Sequence, residues 1–149
     1  MGFLSRFFGA PKPPATVPVV SASAFKGRMR IVQVVGESHY EGAIARVAGP
    51  KTPDGVDVRT SGELVPDPTN RQDPNAVMVK LHGWHVGHLS REQAVGFHRA
   101  MTARGLAGHA LNDFEGRVHA GWKRPGGDEG SYSVTLYLPE SLAKEIGFD

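Results

Sequence analysis

Three histidines, His82, His85 and His88, are the densest set of side chains in this sequence that can do chemistry. Histidine is a common zinc ligand, so the cluster raises the idea of a metal-dependent hydrolase. Because side chains alternate faces along an extended strand, His85 and His88 are expected to point to opposite sides. His82 falls in a predicted turn, and no carboxylate lies within the cluster to complete a site. We therefore expect neither a metal nor another cofactor here.

Other catalytic signatures are missing from the sequence. It contains no Gly-x-Ser-x-Gly motif for a serine nucleophile. It contains no Gly-x-x-x-x-Gly-Lys-Ser/Thr loop for ATP. It also has no cysteine, which excludes disulfides and thiolate zinc sites and agrees with a reducing compartment. The sequence thus predicts a binding protein and not an enzyme, located in the cytoplasm.

Composition indicates one folded domain with an uneven charge distribution. Hydrophobic residues make up 40% and charged residues 21% of 149 residues, which is typical of a single globular domain. The net charge is +2, yet residues 1–36 carry five basic side chains and no acidic one. The remainder is slightly acidic. A uniformly basic surface of the kind that binds nucleic acid non-specifically is therefore not expected.

Residues 1–25 are predicted to form a flexible N-terminal arm, with the domain covering residues 26–149. The arm combines a phenylalanine-rich tip with four prolines and small residues between them. Such a composition disfavours a helix and is typical of a linker. No apolar stretch is long enough to span a membrane as a helix.

The patterning predicts a mostly β domain with short helices. A β-branched run at residues 31–35 indicates a largely buried strand. The strands are expected over residues 31–35, 56–65, 75–81, 84–89, 106–122 and 131–138, and short helices over residues 43–48 and 139–147. Several short strands joined by tight turns favour a small OB-like or SH3-like β-barrel.

The central hairpin and the helix after it have the strongest local signals. Residues 75–81 alternate between the two faces of a strand, and His82-Gly83 is predicted to form a tight turn into the return strand. Ser90 and Gln93 fit a capping box at the start of the main helix, and Gly105 suits its C-terminal cap. The apolar face of this helix is predicted to contain Ala94, Phe97 and Met101.

Three segments, in this order and spacing, resemble the HIRAN domain. They are Val34-Val-Gly-Glu-Ser-His-Tyr40, Leu64-Val-Pro-Asp-Pro-Thr-Asn-Arg-Gln-Asp-Pro-Asn-Ala-Val77 and Val86-Gly-His-Leu-Ser-Arg-Glu-Gln-Ala94. The resemblance covers about residues 30–139. It implies an OB-like barrel that binds single-stranded DNA and its 3′ ends. Larger relatives carry the domain beside helicase motors, which implies a role in DNA repair and a helicase or nuclease partner supplied in trans.

The resemblance also assigns roles to individual residues. Asp73 matches the position where the family holds the terminal sugar hydroxyl, and Asn75 completes its Asp-x-Asn motif. A carboxylate can accept a bond from a 3′-hydroxyl and repels a 3′-phosphate. Both residues are equally suited to stabilising a turn. We expect Asn75 to brace the backbone.

Further candidates flank this motif. His39 and Tyr40 fall at the family's aromatic turn, where a ring can stack on a base; we expect His39 to face the ligand and Tyr40 to be partly structural. His88 matches a polar position that can reach a phosphate or sugar, and Gly87 beside it can allow a close backbone approach.

Among the basic side chains, Arg91 is the preferred phosphate contact. Arginines and a lysine further along the chain are ordinary solvated side chains or line a groove: Arg99, Arg104, Arg117, Lys123 and Arg124.

Two positions depart from the family's pattern. Gln72 stands where relatives specific for 3′ ends have a second aromatic ring, and Ser38 stands where they have a basic residue. A weaker stacking clamp and one fewer phosphate contact follow from these differences, although Arg71 can partly replace the lost charge. We therefore expect DNA binding to be weak.

The main non-DNA alternative is a protein-interaction adaptor. It would dock another protein through the N-terminal arm, with Trp84 or Trp122 contributing. This alternative predicts indifference to DNA and loss of function when residues 1–25 are deleted. DNA binding instead predicts a strong salt dependence, because phosphate contacts release counterions. The sequence leaves the oligomeric state open.

Overall fold

The strands form one mostly antiparallel sheet in the computed structural model, which describes residues 17–34 and 37–147. The strands of this part of the chain are β1 (Val19–Ser21), β2 (Met29–Gln33), β3 (Val56–Pro66), β4 (Val77–Leu81), β5 (Trp84–His88), β6 (Ala110–Ala120) and β7 (Tyr132–Pro139). Their order is β2-β7-β6-β3-β4-β5. β1 pairs in parallel with β6, and the other pairs are antiparallel.

Helices occupy less of the described chain than strands, as the patterning predicted. They are α1 (Glu41–Ala48), α2 (Arg91–Ala103) and α3 (Glu140–Ile146), with single 3-10 turns at Ala22–Ala24 and Glu37–Tyr40. The mostly β class with one main helix after the central hairpin is therefore confirmed. None of the described helices combines the length and apolar character needed to cross a membrane.

The sheet is not closed into the barrel that was predicted. The strand path ends at β2 and β5, and within the described residues these two strands do not pair. The 3-10 turn Glu37–Tyr40 contacts both β5 and β7, and α1 contacts β5. Helical segments thus lie where a closing ladder would be needed, and they leave the sheet open.

The core forms where the alternating strand faces meet the apolar faces of the helices. In β4, Val77, Val79 and Leu81 are fully buried, as the alternation predicted. Helix α2 buries Phe97 and Met101 in the same cluster. Burial of such side chains stabilises a fold by roughly 1.5–3 kcal/mol each. This core fixes the positions of β4, β5 and α2, the elements that bear on the site.

Strand β2 corrects the prediction of a largely buried strand at residues 31–35. Met29 and Ile31 are 56% and 45% exposed, whereas Val32 and Val34 are buried. β2 lies at one end of the strand path, and only one of its faces is covered by the core. Val35 and Gly36 lie outside the described residues.

The predicted boundary between arm and domain also needs correction. Val19 to Ser21 pair with β6, and the side chains of Ala22 and Phe25 are buried in the core. Residues 17–25 are therefore part of the fold and not of a flexible arm. The parallel pairing of β1 depends on a strand far away in sequence, so composition alone did not reveal it. Residues 1–16 lie outside the described part.

Both ends of α2 are as predicted. The Ser90 side chain accepts from the N–H of Gln93, and the Gln93 side chain accepts from the N–H of Ser90, which completes the capping box. At the other end, Gly105 has φ of +73°, a conformation that glycine adopts at little cost. The N–H of Leu106 then donates to the Met101 carbonyl, as in a Schellman cap.

Candidate functional site

A groove of about 460 Å³ opens where three segments meet. The segments are the 3-10 turn before α1, the polar loop between β3 and β4, and the junction between β5 and α2. The lining residues are His39, Tyr40, Asn70, Gln72, Asp73, Ala76, His88, Leu89 and Arg91. Six of the ten predicted site residues are among them: His39, Tyr40, Gln72, Asp73, His88 and Arg91. Segments far apart in sequence therefore form one concave surface.

Side-chain bonds to the backbone hold the polar loop in shape. The Oδ1 atom of Asn70 accepts from the N–H groups of Gln72 at 2.9 Å and Asp73 at 3.0 Å. At the base of the loop, the N–H of Asp67 donates to the Ala76 carbonyl at 2.9 Å. Asn70 was not among the predicted residues. Its signal was available, because asparagine commonly bonds to N–H groups two or three residues further on.

Asp73 combines a bracing role with an available oxygen. Its Oδ1 atom accepts from the N–H of Asn75 at 2.9 Å. No described residue donates a hydrogen bond to its other carboxylate oxygen. The side chain is half-buried and lines the groove. The turn-stabilising role and a ligand role are thus both open to the same carboxylate.

Asn75 lies outside the groove lining, and its backbone makes the observed bonds. Its carbonyl oxygen accepts from Nε2 of His98 on α2 at 2.9 Å, while its N–H is held by Asp73. The end of the polar loop is therefore fastened to α2. His98 was not predicted, because its role depends on a contact between distant segments.

Tyr40, His85 and His88 form an aromatic cluster beside the groove. The Tyr40 hydroxyl lies 2.9 Å from Nδ1 of His88. The Tyr40 ring centroid is 4.5 Å from that of His85, and the His85 and His88 centroids are 4.7 Å apart. Burial raises the pKa of Tyr40, and the charge of Asp67 adds to the effect. Burial also lowers the pKa of His85, and His88 lowers it further, which favours a neutral imidazole.

A bulge in β5 determines which face His85 and His88 share. Val79 pairs with Gly87, but Lys80 pairs with His85, so β5 contains one extra residue. Such a bulge shifts the alternation of side chains. His85 and His88 consequently share a face, although they were expected on opposite faces. Within residues 17–34 and 37–147, no three His, Cys, Asp or Glu side chains are grouped to hold a metal ion.

Arg91 is the arginine that reaches the groove. Its Nη2 atom lies 3.4 Å from the Gln72 carbonyl oxygen, which is a weak bond that places the guanidinium over the polar loop. The other candidate cations do not line the groove. Arg99 pairs with Glu145, and Arg117 pairs with Asp57.

Of the other predicted residues, Arg71 and Gly87 do not line the described part of the groove. Arg71 is exposed beside it, and Gly87 is buried in the ladder opposite Val79. Ser38 lies in the 3-10 turn, but its side chain is outside the described part. Leu89 and Ala76 form an apolar floor that the sequence reasoning missed, because buried apolar residues give no chemical signal of their own.

The fold and the groove define a small β domain with a binding surface at the junction of its hairpin, polar loop and main helix. The sequence profile of the HIRAN domain matches residues 28–119. The chain therefore belongs to the HIRAN domain family. Among solved structures, it is similar to the crystal structure of the HIRAN domain of human HLTF, with 19% identity and a TM-score of 0.34 over 80% of this chain and 83% of that chain. A comparison with curated proteins gives no match.

Proposed function

We propose that this HIRAN domain binds single-stranded DNA and receives the 3′ end in the groove. The observation that carries the proposal is the position of Asp73, whose second carboxylate oxygen has no donor among the described residues of the groove. A terminal hydroxyl can supply that donor in a charge-assisted bond. A terminal phosphate would instead bring a second negative charge next to the carboxylate.

The other lining residues suit the rest of a terminal nucleotide. His39 is exposed in the groove, and a planar ring in this position can stack on a base for about 1–3 kcal/mol. Arg91 supplies a cation for a phosphate. Gln72 also lines the groove, and it offers no second ring for a sandwich. These features support weak binding.

Fluorescence anisotropy with labelled octathymidylate tests the proposal. One strand ends in a 3′-hydroxyl and the other in a 3′-phosphate. We expect the wild-type protein to prefer the hydroxyl by about tenfold or more, since a hydrogen bond to a charged group contributes roughly 1.5–3 kcal/mol. Binding should also weaken as salt rises.

Two substitutions separate the ligand role of Asp73 from its bracing role. Asp73→Asn keeps an oxygen for the N–H of Asn75 but removes the charge, so it should lose the preference between the two strands without lowering the melting temperature. Asp73→Ala should lose both the preference and some stability. The matched control is Asp54→Asn, in the loop before β3 and outside the groove lining, which should bind like the wild type.

Three outcomes would count against the proposal in different ways. Binding without end preference would leave a general single-strand groove. An unchanged preference in Asp73→Asn would remove Asp73 from the binding site. Absence of binding at low salt would exclude DNA as the ligand and favour the adaptor alternative, which depends on the N-terminal arm.

The proposal further treats the protein as a binding module and not as an enzyme. It would bring a helicase or nuclease, supplied in trans, to a DNA end during repair. The support is chemical: the groove offers a ring, a carboxylate and a cation, while the sequence lacks an ATP loop and a serine-nucleophile motif. A cytoplasmic location is part of the proposal, and the absence of cysteine is compatible with a reducing compartment.

A further inference from the structure

Trp84 and Arg46 form an exposed pair outside the groove. Trp84 is the first residue of β5, and its side chain is 41% exposed. The guanidinium carbon of Arg46, on α1, lies 5.5 Å from the centroid of the Trp84 ring. Proteins that bind single-stranded nucleic acid combine exposed aromatic rings, which stack on bases, with cations, which contact phosphates.

Two elements lead from the groove to this pair. β5 runs from Trp84 to His88, which lines the groove, and α1 begins immediately after Tyr40, which also lines it. Between the two ends, His85 contacts Tyr40 with ring centroids 4.5 Å apart. The four residue steps from Trp84 to His88 span at most about 13 Å. A single strand covers that distance in about four nucleotides at stacked spacing. Trp84 pairs with Leu81 and His88 with Met78, so the two side chains lie on opposite faces of β5 and a bound strand would pass from one face to the other.

The charge of Arg46 is not committed to an acid. No ion pair between Arg46 and another residue is present in the described part of the chain, whereas Arg59, Arg99 and Arg117 each pair with a carboxylate. An unpaired surface guanidinium can approach a phosphate without first breaking a salt bridge.

A second Arg–Trp pair provides an internal comparison. The guanidinium carbon of Arg124 lies 4.2 Å from the Trp122 ring centroid. The Trp122 indole packs so closely on Gly130 that a Cβ there would collide with it. Neither residue of this pair is on an element that lines the groove. The two pairs have the same chemistry, but only Trp84 lies on a strand that leads out of the groove.

We propose that Trp84 and Arg46 form a distal contact for single-stranded DNA, which stacks a base several nucleotides 5′ of the end held in the groove. The inference rests on the proposed function and extends it to a longer footprint. A strand that reaches both sites gains a stacking contact and a phosphate contact that a dinucleotide cannot reach.

Tryptophan fluorescence tests the contact directly, because the chain has only two tryptophans. Trp122→Phe leaves Trp84 as the sole reporter, and Trp84→Phe leaves Trp122 as its matched control. The probes are octathymidylate and dithymidylate, both with a free 3′-hydroxyl. We expect octathymidylate to quench Trp84 but not Trp122, and dithymidylate to quench neither.

Affinities of two further variants test the energetic contribution. Trp84→Leu keeps apolar area but removes the ring, and Arg46→Gln removes the charge while keeping a helix former. Trp84→Leu should weaken octathymidylate binding about fivefold or more and leave dithymidylate binding unchanged. Arg59→Gln, which removes a guanidinium stacked on Tyr137 outside the groove, should change neither affinity.

The design distinguishes failure of the inference from failure of the proposed function. If both oligonucleotides bind and neither Trp84 quenching nor a loss in the two variants is seen, the distal contact is wrong while the groove stands. If neither oligonucleotide binds, both proposals fall. If Trp84→Leu does not fold, the octathymidylate affinity of Arg46→Gln and the quenching of Trp84 in Trp122→Phe still test the distal contact.

Discussion

Helix α2 and strand β5 meet at the groove, yet the interactions that define them operate over very different ranges. The start and end of α2 depend on bonds within a few residues, between Ser90 and Gln93 and between Met101 and Leu106. The shape of β5 depends on its pairing with β4, where Val79 faces Gly87 and Lys80 faces His85. Local chemistry could therefore predict the helix boundaries, while only the partner strand determines the bulge.

Local hydrogen bonds position the residue that α2 contributes to the groove, whereas strand pairing positions the residue that β5 contributes. α2 provides Arg91 in its first turn, so the position of Arg91 follows from the capping box. β5 provides His88, and the bulge brings His85 next to it. A strict alternation would have separated the two histidines and left Tyr40 to pack on a different surface.

Gly96 tests whether α2 is governed by local rules along its whole length. In an isolated helix, replacing glycine with alanine stabilises by about 1 kcal/mol. Here a Cβ at Gly96 would collide with the backbone carbonyl oxygen of Glu145 in α3. We expect Gly96→Ala to lower the free energy of unfolding by about 1–3 kcal/mol, measured by urea denaturation.

The matched control is Gly42→Ala in α1, where a Cβ would have no neighbour within 4 Å. It should stabilise or leave the protein unchanged. If both alanine variants stabilise to a similar extent, the close packing of α2 on α3 does not constrain Gly96 and the local rule is sufficient.

The same distinction explains how much of the fold the sequence could predict. Patterns within a few residues predicted α2, the hairpin and the final helix. β1 was missed because its three residues gain strand geometry only by pairing with β6. The exposure of Ile31 was missed because an apolar run does not reveal which face a core will cover. Sheet closure likewise depends on where the segment around Tyr40 packs.

The candidate site was predicted in part, from the three segments that resemble the family. These placed His39, Asp73 and Arg91, which the fold brings into one groove. The residues that shape the groove were missed: Asn70 acts through hydrogen bonds to the backbone, and Leu89 through apolar packing. Their roles are defined by neighbours and not by residue type.

The N-terminus of α2 allows a finer test of local against long-range contributions. Gln93 accepts from the N–H of Ser90 through Oε1 and donates from Nε2 to the Gln33 carbonyl at 3.0 Å. Ser90→Ala removes the cap and should cost about 1 kcal/mol of stability. Gln93→Glu keeps the capping box but loses the donor to β2.

Thermal or urea unfolding of both variants checks the prediction. We expect Gln93→Glu to cost less than Ser90→Ala, because the lost bond to Gln33 is exposed and a carboxylate in the first turn of a helix is favourable by about 0.3–1 kcal/mol. A larger loss in Gln93→Glu than in Ser90→Ala would show that the link to β2, and not the cap, fixes the start of α2.

The bulge in β5 leads to the smallest predicted effect, a dependence of stability on pH. Burial lowers the pKa of His85 in the folded state, relative to about 6.5 in the unfolded chain. As pH falls, the unfolded chain takes up the proton first, so the free energy of unfolding decreases. The contribution of neutral His85 to the free energy of unfolding is fully present above about pH 6.5. It is lost as the pH falls through the pKa of His85 in the folded state.

Replacing His85 should flatten this dependence, because glutamine does not titrate. We expect His85→Gln to show a smaller decrease in the free energy of unfolding between about pH 7 and 5 than the wild type. A residual decrease should remain, since burial also lowers the pKa of His119, with Arg117 contributing. His82→Asn is the control, as asparagine tolerates the positive φ of 49° in the exposed turn. If the free energy of unfolding has the same pH dependence in the wild type and in His85→Gln, the bulge does not hold His85 in its neutral form. The side-chain alternation expected from the sequence would then be a sufficient description of β5.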